Sequence, residues 1–190
     1  IVSDMYGPFL EYSKTYFPNA ISAVDSFHVI KMINHHIQKY IQRLIRKLND
    51  LDVARQQKLE QELGHRVDLV HSREYKIIKH YQWLILSNNR RIDYGHMRYD
   101  RRFGRYVYPS DIEAEMFRID PNLKEIRDLK EDYMKFNDDY VGEPKRARKG
   151  LEEIIKKYRN CRQRIFNDIA ESLQEHFEEI INSFIVIKKY

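Results

Sequence analysis

The 190-residue chain has a single cysteine, Cys161, which excludes an internal disulfide and any cysteine-rich zinc site. No apolar run comes near the roughly 20 residues that a membrane-spanning helix needs, and no secretory signal pattern is present. These absences lead to the expectation of a soluble, cytoplasmic protein with no membrane partner. Glycine and proline are scarce, at six and five residues, which argues against a turn-dense β-fold. After Ser26 nothing alternates or clusters β-branched residues, apart from Ile185-Val186-Ile187. Charge of one sign is not in large excess either. The net charge of +5 favours polyanionic partners without establishing one.

What is present is the composition of a helical protein, with 33% charged and 42% hydrophobic residues. Ile30, Ile33, Ile37, Ile41, Leu44 and Leu48 recur at intervals of three and four, the spacing of a helix with one buried stripe over residues 27–48. Lys31, Lys39, Arg43, Arg46 and Lys47 lie off that stripe. Asn49-Asp50-Leu51-Asp52 predicts a break, and a charged helix over 53–63 ends at Gly64. Residues 74–87, apolar nearly all round at their end, predict a buried helix. Residues 88–109, with Gly95, Gly104 and a closing Pro109, predict a long loop. Ser110 or Asp111, with Glu113 completing a capping box, predicts the start of a helix over 112–118. Asp120 and Pro121 open another, whose stripe is Leu123, Ile126, Leu129, Tyr133 and Phe136. Lys145 to Lys149 read as a linker or helix start, followed by helices over 151–158 and 165–181. About seven helices are expected.

The first 28 residues differ in character. Val2-Ser3-Asp4 reads as a strand ending in an acid, and Ala20 to His28 as a second strand ending in Asp25-Ser26-Phe27-His28. Phe9, Leu10, Tyr16 and Phe17 suit one crossover helix between them. If the strands are parallel neighbours, Asp4 and Asp25 emerge at the carboxyl edge, where open parallel sheets bind ligands. A carboxylate there suits Mg²⁺. Taken singly, each acid reads first as the N-cap of the helix that follows, and Asp25 with His28 as a hydrogen-bonded pair fixing a helix start. Two parallel strands cannot form a stable sheet alone. With no initiator Met, the chain is therefore expected to be an internal piece of a larger protein.

Several spaced elements agree in order with one family. Ser3-Asp4-Met5, Phe17-Pro18-Asn19-Ala20, Asp25-Ser26-Phe27-His28-Val29 and Asn34 resemble the middle of DDE transposases of the insertion-sequence ISL-three family, with Ser26 where that family usually has Arg. Tyr81 to Leu86 with Asn89-Arg90, and Ile181 to Ile185, are similar to further family stretches. The resemblance implies a mainly α chain with a small α/β N-terminal portion: a partial ribonuclease-H-like sheet of strand, helix and strand, followed by an all-helical insertion. The implied domains are 1–28 in the catalytic core, 29–182 as the insertion and 183–190 returning to the core. It further implies metal-dependent DNA strand cleavage and transfer, with Asp4 as a catalytic, metal-holding acid and Asp25 and His28 as active-site support. Mg²⁺ or Mn²⁺ is the implied cofactor of the complete protein. DNA, as transposon ends and target, is the implied partner, with self-association of the full-length protein.

The other two acids of the triad find no counterpart here, so the isolated chain is expected to be inactive. A second group of candidates is basic. Arg90, Arg91, Arg98, Arg101, Arg102 and Arg105 are interleaved with Tyr94, Tyr99, Phe103, Tyr106 and Tyr108, a mixture suited to phosphate contacts and base stacking. The alternative for that loop is packing, with arginines paired to Asp93 and Asp100. The alternative for the whole chain is a non-catalytic helical module that binds nucleic acid or protein.

Overall fold

A computed structural model of the chain describes residues 2–3, 15–17 and 19–185. Seven α-helices and two short strand pairs are found among the described residues. In chain order these are β1 (Val2–Ser3), β2 (Ala23–Val24), α1 (Ser26–Leu63), α2 (Arg73–Leu86), β3 (Arg98–Asp100), β4 (Arg105–Val107), α3 (Pro109–Ile119), α4 (Asn122–Asp139), α5 (Pro144–Asn160), α6 (Ile165–Glu175) and α7 (Phe177–Asn182). The protein is thus mainly α with a small N-terminal α/β portion. It divides into two compact units, one of Ile1–His36 with Asp128–Tyr190 and one of Ile37–Arg127. The divisions fall inside α1 and α4.

In the first unit β1 and β2 pair in parallel, Val2 with Ala23 and Ser3 with Val24. A parallel pair needs a crossover, and Thr15 and Tyr16 between the strands are helical. Phe17, also expected on that helix, is exposed and not helical, and the remainder of the expected crossover helix, like all of 186–190, lies outside the described residues. Val24 is fully buried, and the side-chain amide of Asn182 on α7 donates to the Ser22 carbonyl at 2.8 Å, tying that helix to the strand. The apolar stripe expected on α4 is buried at Leu129, Tyr133 and Phe136. Tyr158 on α5 donates its hydroxyl to the Leu129 carbonyl at 2.8 Å, and its ring meets Phe166 edge-on at 4.7 Å. Tyr133 and Tyr158 are both fully enclosed, and burial pushes their phenols well above the usual range.

The second unit is organised by buried polar anchors. Asp52, 3% exposed, accepts from the Ser72 backbone N–H at 2.8 Å and from its hydroxyl at 2.9 Å. Ser72 in turn caps α2 by accepting from Tyr75 N. Burial raises the Asp52 pKa, but the Ser72 hydrogen bonds and the charges of Arg55 and His71 outweigh it and hold the carboxyl below its ordinary value. Tyr40 donates to Asp120 Oδ2 at 2.6 Å and accepts from Asn122 Nδ2 at 3.1 Å. Its phenol is pushed up to about 12, first by burial and then by Asp120.

Five boundaries depart from expectation. No break occurs at 49–52: α1 runs unbroken to Leu63 because Asn and Asp are weak helix formers rather than breakers, and Asp52 turns inward to serve Ser72. Gly64, with φ +71°, then ends the helix as expected. Segment 88–109 is not an irregular loop but holds a 3₁₀ turn at Asn89–Arg91 and an antiparallel hairpin, so the helical region carries a small sheet of its own. Helix α3 starts at Pro109 rather than near Ile112, with Asp111 accepting from Tyr108 N at 2.9 Å, which leaves Glu113 free for a buried ion pair. Helix α5 continues through Gly150, and the segment expected as one helix over 165–181 is divided at His176 into α6 and α7.

Candidate functional site

The expected catalytic edge lies at the ends of β1 and β2. Asp4 lies outside the described residues. Asp25 directly follows β2, is exposed, and accepts from the Phe27 backbone N–H at 2.9 Å through Oδ1. It therefore caps α1 by the Asp N-cap geometry, with His28 N bonding to the Asp25 carbonyl at 2.9 Å. His28 is half-buried and meets the Phe27 ring edge-on at 5.7 Å. Asp25 and His28 are brought to one turn, where backbone capping rather than a direct side-chain pair fixes the helix start. A cavity of about 320 Å³ beside them is lined by Val2, Ile21, Val24, Asp25, Asn182 and Phe184.

A divalent cation needs several oxygen ligands. Among the described residues no cluster of three His, Cys, Asp or Glu side chains is placed to hold a metal. Asp25 has one oxygen committed to capping, so the described part of this edge does not by itself fit a metal ion.

The arginine-rich segment is built in the second unit on one buried ion pair. Arg127 Nη1 lies 2.8 Å from Glu113 Oε2, with side-chain exposures of 12% and 6%. Arg127 also donates from Nε to Asn89 Oδ1 at 3.1 Å and from Nη2 to the Tyr94 hydroxyl at 2.6 Å. Tyr94 donates its own hydroxyl proton to Glu113 Oε1 at 2.6 Å. The guanidinium lies over the Tyr94 and Phe117 rings at 5.8 and 5.9 Å. One arginine of α4 thus satisfies α3 and pins both Asn89 and Tyr94. Just before Asn89, Asn88 Oδ1 accepts from Arg90 N at 2.9 Å and sets the turn that presents Arg90 and Arg91.

The hairpin follows. Arg98 pairs with Val107, Tyr99 with Tyr106 and Asp100 with Arg105. Its turn is closed by Asp100 Oδ1, which accepts from Arg102 N at 2.8 Å and Phe103 N at 3.3 Å, and by Gly104 at φ +64°. The positive φ is the conformation that glycine adopts without a Cβ penalty. Tyr81 of α2 donates to Asp100 Oδ2. Burial and then this carboxylate push the Tyr81 phenol up to about 12. Burial raises the Asp100 pKa, but Tyr81, the two turn amides and the Arg102 charge hold it below its ordinary value.

Strand alternation puts buried Val107 and anchored Asp100 on the inner face and Tyr99 with Tyr106 on the outer. The two tyrosine rings meet edge-on at 5.5 Å and are 57% and 60% exposed. All six candidate arginines are exposed. The turn amides and Tyr81 engage Asp100, and the exposed Arg102 guanidinium lies 5.8 Å over the Tyr81 ring. Asp93 instead accepts from Gly95 N at 3.1 Å. An exposed aromatic pair with Arg101 and Arg102 at the adjoining turn is a surface that phosphates and base faces can both use.

Sequence reasoning missed Arg127 and Glu113, because their partners lie 14 to 38 residues away and no spacing rule joins them. Among the described residues no helix is long and apolar enough to cross a membrane. A family model described as transposase, of the ISL-three DDE type, matches residues 1–188. No curated protein and no solved structure matches the chain.

Proposed function

The chain belongs to the ISL-three family of DDE transposases, and on that premise we propose that it takes part in DNA strand cleavage and transfer through Asp4, with the arginine-bearing hairpin holding DNA. The observation that carries this reading is the family match over nearly the whole chain. The parallel register of Ser3 with Val24 supports it, because in such a pair the residues that follow each strand share one edge.

In this reading residues 1–28 contribute to a ribonuclease-H-like core, 29–182 form the insertion and 183–190 return to the core. Asp25 and His28 act as active-site support at the start of α1. Mg²⁺ or Mn²⁺ is assigned to the complete triad, since hard oxygen donors such as Asp4 suit these ions. No other residue of the chain matches a triad acid, so the isolated chain is expected not to cut DNA. The full-length protein is expected to self-associate.

The test is a transposition assay in the natural reading frame. D4N should abolish transposition while leaving DNA binding unchanged, and R101Q/R102Q should weaken duplex binding and flatten its salt dependence. Full transposition by D4N would leave the non-catalytic nucleic-acid- or protein-binding module as the better account.

A further inference from the structure

The first six turns of α1 carry an unusual charge distribution. From Ser26 to Asn49 there is no aspartate or glutamate, while Lys31, Lys39, Arg43, Arg46 and Lys47 are all present. Within the second unit Lys39, Arg43, Arg46 and Lys47 are all exposed. At 100° per residue they fall within an arc of about 100°, on the side opposite the buried Ile37 and Ile41. Arg43, Arg46 and Lys47 border a shallow open depression with Asp50 and Leu51, Asp50 being the one acid at its end.

Several surface cations elsewhere have acids. Arg118 bonds Glu115, Arg146 bonds Glu143, Arg148 bonds Glu178 and Lys157 bonds Asp132. Among the described residues, no ion pair engages Lys39, Arg43, Arg46 or Lys47. A solvated helix of this composition ordinarily intersperses acids at i+3 and i+4, where they gain a few tenths of a kcal/mol each. Four like charges on adjacent turns give up that gain and add repulsion. The arrangement is compensated when a polyanion neutralises all four.

We propose that this face of α1 is a second DNA-backbone contact surface, separate in sequence from the hairpin arginines, with duplex DNA as its occupant. The proposal rests on the transposase reading for the identity of the polyanion. From Lys39 to Lys47 the helix rises about 12 Å. At about 3.4 Å of duplex axis per phosphate on one strand, that length matches three to four consecutive phosphates. Neutralisation of phosphates requires no base contact, so binding here is indifferent to sequence.

The experiment measures binding of the whole chain to a 30-base-pair duplex of arbitrary sequence across a salt series. It compares the wild type with K39Q/R43Q/R46Q/K47Q and with R101Q/R102Q. Glutamine keeps helix propensity, and circular dichroism confirms that the helix content is unchanged. The α1 variant should bind at least tenfold more weakly near 100 mM salt. Its log–log salt slope should fall by about 2 to 4, near 0.9 for each phosphate that the variant no longer neutralises. An unchanged affinity and slope in the α1 variant would overturn the proposal, as would a changed self-association with intact DNA binding. In either case weaker binding by R101Q/R102Q leaves the DNA reading standing. No duplex binding by the wild-type chain would refute both.

Discussion

Replacing Arg127 by methionine keeps most of the side-chain volume and removes only the guanidinium. Glu113, 6% exposed, is then left with the Tyr94 hydroxyl as its remaining partner. Breaking a buried ion pair by removing one member costs about 3–5 kcal/mol, because the other charge stays desolvated. The hydrogen bonds to Asn89 and Tyr94 disappear as well, but both acceptors are half-buried and gain water in exchange, which makes their loss small. The Tyr94 hydrogen bond that survives moves the expected cost to the lower end, about 3 kcal/mol. Trp83 is the only tryptophan, lies on α2 in the same unit and is 46% exposed, so its fluorescence reports this unit. Urea unfolding followed at Trp83 should show the midpoint of R127M lowered by about 1–2 M, for a slope of about 2 kcal/mol per molar. E113Q keeps an acceptor for Tyr94 and removes the charge, so the double variant E113Q/R127M should recover part of the loss, with a coupling energy of about 2 kcal/mol. A cost under about 1 kcal/mol for R127M, or strict additivity in the double variant, would refute the assignment of this pair as the anchor of the arginine segment.

Two further perturbations probe the scaffold. D52N removes the charge from two hydrogen bonds with Ser72 and should cost about 1.5–3 kcal/mol at pH 7. Because the folded pKa of Asp52 is depressed, its contribution is fully present above the unfolded value of about 3.9 and is lost as pH falls through the folded one. The gap between wild type and D52N should therefore narrow as pH falls below about 4, and a gap that widens on acidification contradicts the carboxylate's role. At Gly150 an added Cβ meets the Tyr140 ring at 2.9 Å and Phe136 at 3.1 Å. Overpacking of about 1–3 kcal/mol then outweighs the roughly 1 kcal/mol that alanine gains in a helix, and calorimetry of G150A should show a lowered Tm. A raised Tm would mean that the α4–α5 contact gives way freely.

The stripes of α1, α4 and α6 were legible because burial on a helix repeats every 3.6 residues, and the buried Ile33, Ile37, Ile41, Leu123, Ile126, Leu129, Phe166, Ile169 and Leu173 follow that period. Helix ends were less legible where a polar residue has two uses. Asp52 reads as a breaker but serves Ser72, and Glu113 reads as a capping-box acid but pairs with Arg127. The hairpin escaped notice because three-residue strands are too short to establish an alternation.

Local spacing and composition therefore determined the mainly helical class and the candidate acids, and the ordered motifs indicated the family. They also determined that α1 carries cations without acids for six turns, since that is written in consecutive residues. Only the tertiary structure decided which polar groups are buried and with whom, as in the Arg127, Glu113, Tyr94 and Asn89 cluster. It also decided which face of the hairpin meets solvent. These outcomes depend on desolvation by residues distant in sequence, and no local pattern encodes the company that a side chain keeps once the chain has folded.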